Sequence, residues 1–175
     1  MGMGPSNNQT VELIGANDGV ITLQNAAAET RVQIADAGAG VVVSSMGARE
    51  TGAETSKLYL LIEGIRSDAV SGALSVYVNV PEGGAPDEFP SYCAETLYLF
   101  GLKQASNPDE EHSGNGLTFT IDITELALML KERDDFDPES LRVSLIADGP
   151  ELEGEVLSVE RISVLKRTGV ATSIE

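Results

Sequence analysis

The sequence predicts an all-β fold: an antiparallel β-sandwich, jelly-roll-like or immunoglobulin-like, with one short crossover helix. Three observations carry this expectation. Several runs alternate apolar and polar residues, the pattern of a strand with one buried face and one wet face. Gly (18) and Pro (7) are frequent enough to break the 175-residue chain into short elements. One segment alone places apolar residues at helical spacing.

The elements follow in chain order. Short strands are expected at Thr10–Ile14, Val20–Leu23 and Thr30–Ile34, with a further candidate at Val41–Val43. Residues 47–56 are small, polar and mixed in charge, and read as a linker. Leu58–Ile65 is almost continuously apolar, which suits a central strand. Leu74–Val80 alternates, with its apolar residues at even positions. Residues 81–90 hold two Gly and three Pro and form a turn-rich loop. A strand is expected at Ala94–Phe100, and another at Leu117–Ile123.

Ile123, Leu126, Met129 and Leu130 then fall on one helical stripe, and Asp122 and Glu125 have the spacing of a capping box. The spacing predicts a helix over 124–133, closed by Pro138. Leu141–Ile146 alternates again. The last strand, Val156–Leu165, changes phase between Val159 and Ile162, which predicts a β-bulge near Glu160-Arg161. The expected organisation is a disordered tag or tail at 1–9, a linker-derived segment with short strands at 10–56, a β-sandwich core at 57–166 and a flexible tail at 167–175. The Met-Gly-Met-Gly start reads as an added sequence.

Charge removes whole classes of partner. Eleven Lys and Arg face 28 Asp and Glu, a formal net charge of −17. Such a field repels phosphate backbones and anionic lipid surfaces, so neither nucleic acid nor membrane is expected. No apolar run is long enough to span a bilayer, and no signal peptide is visible. Localisation stays unknown.

The chemistry-bearing residues are few. One Cys, Cys93, rules out an internal disulfide and a Cys-x-x-Cys pair, and His112 is the single His. A multi-histidine metal site therefore cannot be built from this chain. His112, next to Asp109, Glu110 and Glu111, is a weak metal candidate; an exposed loop His is the simpler reading. Asp134, Asp135, Asp137 and Glu139 lack the ligand spacing and the turn Gly of a calcium loop and read as a solvated helix end. Glu82, Asp87 and Glu88 offer carboxylates for glycoside chemistry, but no Trp is present to stack a sugar. No catalytic residue is assigned, and the chain is read as no enzyme on its own.

The remaining candidates lie on one loop. Phe89 and Tyr92 are aromatics in an otherwise small, polar turn. Either they stand out to fill a partner's pocket or they fold back over the end of the sandwich. Cys93 opens the following strand beside Glu95 and reads as an inert thiol.

Several runs, taken in order, resemble the carboxy-terminal domain of tyrosinases and polyphenol oxidases, the type-3 copper family. They are Leu60-Leu61-Ile62-Glu63-Gly64-Ile65, Val76-Tyr77-Val78-Asn79-Val80-Pro81, Leu99-Phe100-Gly101-Leu102, Phe119-Thr120-Ile121-Asp122-Ile123-Thr124, Leu141-Arg142-Val143-Ser144-Leu145 and Val159-Glu160-Arg161-Ile162-Ser163-Val164. Upstream, Leu13-Ile14-Gly15-Ala16-Asn17 with Val20-Ile21-Thr22-Leu23 resembles the segment that joins the copper domain to this one. In that family six histidines of a separate helical domain bind the copper pair. The resemblance implies a non-catalytic sandwich that holds no cofactor itself. Its partner would be the dicopper catalytic domain, an oxidoreductase acting on phenols, whose active-site entrance it covers to keep the enzyme latent. Folding or copper loading would be a possible assistance. It also implies an inserted loop side chain, here Phe89 or Tyr92, with the adjoining Cys93 as a further partner-binding candidate. The alternatives are a free-standing partner that loads copper into a separate tyrosinase, and an unrelated binding module.

Overall fold

A computed structural model describes residues 10–23, 27–35, 54–109, 114–137 and 139–170. Their strands are β1 (Thr10–Ala16), β2 (Ile21–Leu23), β3 (Ala27–Ile34), β4 (Glu54–Arg66), β5 (Ala73–Val78), β6 (Cys93–Tyr98), β7 (Leu117–Asp122), β8 (Ser140–Asp148) and β9 (Leu157–Val170). All pair antiparallel, in the order β6-β5-β8-β3-β1-β9-β4-β7, with β2 alongside β9. The outer strands β6 and β7 come back against each other, so the sheet curls into a nearly closed, jelly-roll-like barrel. The all-β expectation holds. The strands at 10–34 lie in the same sheet as those at 54–170: β3 pairs with β8 over seven residues, and Ile14, Leu23 and Val32 are core residues.

Alternation builds the core. Leu74, Val76 and Val78 of β5, Leu141, Val143 and Leu145 of β8, and Leu58, Leu60 and Ile62 of β4 point into the barrel and are almost fully buried. Buried apolar area of this kind stabilises at about 25 cal/mol per Å².

The phase change in β9 is present: Leu157, Val159, Ile162 and Val164 are all buried, whereas Glu160 and Arg161 are exposed. The bulge differs from the expected one. The β4–β9 register runs unbroken from Glu63↔Arg161 to Ile65↔Val159, and the register shift is on β4, between Ile62 and Ile65 against β7. Gly64 makes the matching phase change in β4. Its φ is +66°, and a Cβ there would stand 2.5 Å from the Cβ of Glu160. A side chain at 64 would meet both backbone strain and a clash. On the far side of β9, Asn17 bridges the irregularity, donating its N–H to the carbonyl of Ile162 and accepting the Ile162 N–H on Oδ1.

Among the described residues two helices are seen where one was expected. The helix expected at 124–133 runs Thr124–Glu132 and is here α2; α1 (Leu102–Ser106) is a five-residue helix. The sequence shows α1 only as Leu102 and Ala105, both buried, at i,i+3 spacing after the left-handed Gly101. The capping box is not formed. Asp122 Oδ1 instead accepts the Thr124 N–H, a two-residue turn, while Thr124 Oγ1 accepts the N–H of Leu58. The helices close opposite ends of the barrel. α2 sits against the start of β4 through Leu58, and α1 against its end, where Ser106 Oγ accepts the Ser67 N–H. Val41–Val43 and His112 lie outside the described residues.

Candidate functional site

The loop that carries the predicted site residues lies at the α2 end. Two single-turn 3-10 segments, Pro86–Glu88 and Pro90–Tyr92, shape it; in each a proline with preset φ opens the turn. Phe89 is the joint between them and accepts the N–H of Tyr92.

Tyr92 does not stand out from the loop. It is 6% exposed, and its hydroxyl donates to Asp135 Oδ2 at 2.6 Å. The Arg133 guanidinium lies 5.6 Å from its ring centroid, and Arg133 Nη1 donates to Ser91 Oγ at 3.2 Å. Phe89 is half-buried and meets Tyr92 edge to face at 5.8 Å. Of the two readings of this loop, folded back describes Tyr92. The acidic helix end is likewise more than solvated surface, because Asp135 also accepts on its backbone carbonyl from Asn79 Nδ2. Asn79 Oδ1 in turn accepts the N–H of Arg142. Arg142 completes the clamp by donating to the Val80 carbonyl and pairing with Glu82 at 3.6 Å.

Cys93 is half-buried at the start of β6, directly across from Tyr77 of β5. Burial pushes its thiol pKa up, and the charge of Glu95 adds to this; bonds to Thr96 and to the backbone act the other way. Burial also raises the phenol of Tyr77, helped by Cys93 and Asp87. A thiol held protonated is a poor nucleophile. Among the described residues no three His, Cys, Asp or Glu side chains come together as a metal-holding group. The described residues offer no such group that would fit a copper pair.

Sequence reasoning missed the most exposed aromatics. Tyr98 and Phe100, at the opposite end of β6, are 63% and 78% exposed, and their rings stack 6.4 Å apart. The signal was in the run Leu97-Tyr98-Leu99-Phe100, which is apolar in both phases. Leu97 and Leu99 take the inside, which leaves the two rings outside.

The sequence model of one family, a domain of unknown function (DUF7868), matches residues 10–167, nearly the whole length of the barrel. The chain belongs to that family. It is similar to tyrosinase HcTyr1 of Hahella sp. (strain CCB-MM4), 29% identical over 115 residues that make up 65% of this chain and 24% of the tyrosinase. Its fold is similar to part of the recombinantly expressed latent aurone synthase (polyphenol oxidase), with a TM-score of 0.54 at 16% identity over 84% of this chain and 25% of that one. The same enzyme from its natural source gives a TM-score of 0.50 at 16% identity, covering 85% and 25%. This chain thus spans about a quarter of the length of the proteins it matches.

Proposed function

We propose that this barrel is a non-catalytic accessory domain of a tyrosinase or polyphenol oxidase, which covers the entrance of a dicopper catalytic domain and keeps that enzyme latent. The observation that carries the reading is the likeness of nearly the whole barrel to a quarter-length piece of a polyphenol oxidase described as latent. The sequence match to a quarter of a tyrosinase points the same way.

The side chains of this domain agree with a covering role. Its thiol is held protonated, its carboxylates form no metal-holding group among the described residues, and its barrel interior is packed with aliphatic side chains. What it offers is a rigid surface. Covalent linkage to the covered domain would give a high effective concentration, so a weak interface would still stay closed.

The test is the initial rate of catechol oxidation by a tyrosinase that lacks such a domain, with increasing amounts of this chain. The rate should fall with added chain and level off at saturation. A rate independent of added chain would sink the proposal.

A further inference from the structure

β6 leaves the barrel at the α1 end with two stacked rings in water. An aromatic side chain can bury roughly 150–250 Å², so leaving two adjacent rings exposed is costly unless something covers them. Two more apolar side chains are exposed at this end. Val70, in the loop before β5, is 56% exposed, and Val156, just before β9, is 60% exposed.

The segments that carry these residues form one surface. The N–H of Leu99 donates to the carbonyl of Gly72 at 2.8 Å. Gly72 packs on the side chain of Leu152 so closely that a Cβ would overlap it, and Leu152 is itself buried. A Cβ on Gly149 would be 3.4 Å from the Cα of Gly72. The end of β6, the loop 67–72 and the turn 149–155 are therefore fixed to one another through a single glycine.

The rim of this surface is acidic. Asp68, Asp148, Glu151, Glu153 and Glu155 are all exposed, and none makes an ion pair among the described residues. The same loops contain no Lys or Arg; Arg66, which precedes the loop 67–72, is paired with Glu160 at 3.0 Å, and Lys103 lies in α1. A second copy of the chain would bring this rim against itself, and like charges facing each other suppress association.

We propose that the α1 end, centred on Tyr98 and Phe100, is a docking surface for a protein that presents an apolar patch ringed by Lys and Arg. The assignment of that partner rests on the reading above: it is the catalytic domain that this barrel covers. Docking then uses the end opposite to Phe89 and Tyr92. The rings supply the contact that holds the complex, and the carboxylates speed its formation.

The experiment measures binding of the whole chain to the same domain-free tyrosinase, alongside inhibition of catechol oxidation. The variants are Y98S/F100S, D148N/E151Q/E153Q, and F89S at the other end. All altered side chains of the first two variants are exposed, and thermal unfolding checks that each variant is folded; F100S alone replaces the double variant if that one melts early. The double variant should bind about tenfold or more weakly and lose inhibition in step. The triple variant should associate several-fold more slowly with little change in dissociation, and added salt should slow the unaltered chain in the same way. F89S should behave as the unaltered chain. Undiminished binding by Y98S/F100S together with weakened binding by F89S would overturn the docking surface and leave the covering role standing. An unaltered chain that neither binds nor inhibits would overturn the covering role, and this partner with it. A dimer in sedimentation that Y98S/F100S abolishes would assign the surface to a second copy instead.

Discussion

Cys93 shows how little of a side chain's chemistry is set by its identity alone. Its thiol is half-buried across from Tyr77, and burial raises the pKa of both groups. A raised pKa means that the folded state holds its protons more tightly than the unfolded chain. The associated stability is fully present below the unfolded values, about 8.5 for the thiol and about 10 for the phenol, and is lost as pH rises through the higher folded values. The alkylation rate of Cys93 by iodoacetamide should therefore trail that of a free cysteine between about pH 7 and pH 9. The denaturation midpoint should begin to fall above about pH 8.5. An alkylation rate that already levels off near neutrality would contradict the protonated thiol.

At the scale of an element, the loop 79–92 is bonded into the barrel end, although its composition is that of a turn-rich segment. Tyr92, Asn79, Arg142 and Asp135 tie it to the corner after α2 through bonds that join residues far apart in sequence. Tyr92→Phe keeps the buried ring and removes only the hydroxyl donor to Asp135. Because Asp135 is exposed and can turn to water, the loss should be about 1 kcal/mol. For a chain of this size that is a fall in Tm of about 2–4 °C, read by calorimetry. An unchanged Tm would mean that the hydroxyl gains nothing over water. Of the three carboxylates of this loop weighed for glycoside chemistry, Glu82 pairs with Arg142.

At the scale of the whole molecule, 28 acidic residues against 11 basic ones must coexist in one chain of 175 residues. Ion pairs such as Arg66–Glu160 and Arg161–Glu63 join neighbouring strands, and pairs this exposed contribute at most about 1 kcal/mol each. Net repulsion remains, and mobile ions screen it. Tm should rise as NaCl is raised from about 10 mM to about 200 mM, where the Debye length falls below about 10 Å. A Tm that falls over that range would show that attractive pairs outweigh the repulsion.

The sequence by itself determined the elements and the absent chemistry. Period-two alternation located β5, β7 and β8 because a strand that buries one face must repeat every two residues. A single histidine excluded a multi-histidine site by counting. The phase change at Glu160-Arg161 was legible too, but its mechanism was not: the sequence places the extra residue on β9, whereas the register shift lies on β4 at Gly64. The tertiary structure alone decided what depends on partners distant in sequence. These are the burial of Tyr92 and its bond to Asp135, the strand order that curls the sheet until β6 meets β7, and the exposure of Tyr98 and Phe100 at the α1 end. Local pattern tells which residues share a face, but only the packing of distant strands tells which faces are covered and which are left in water.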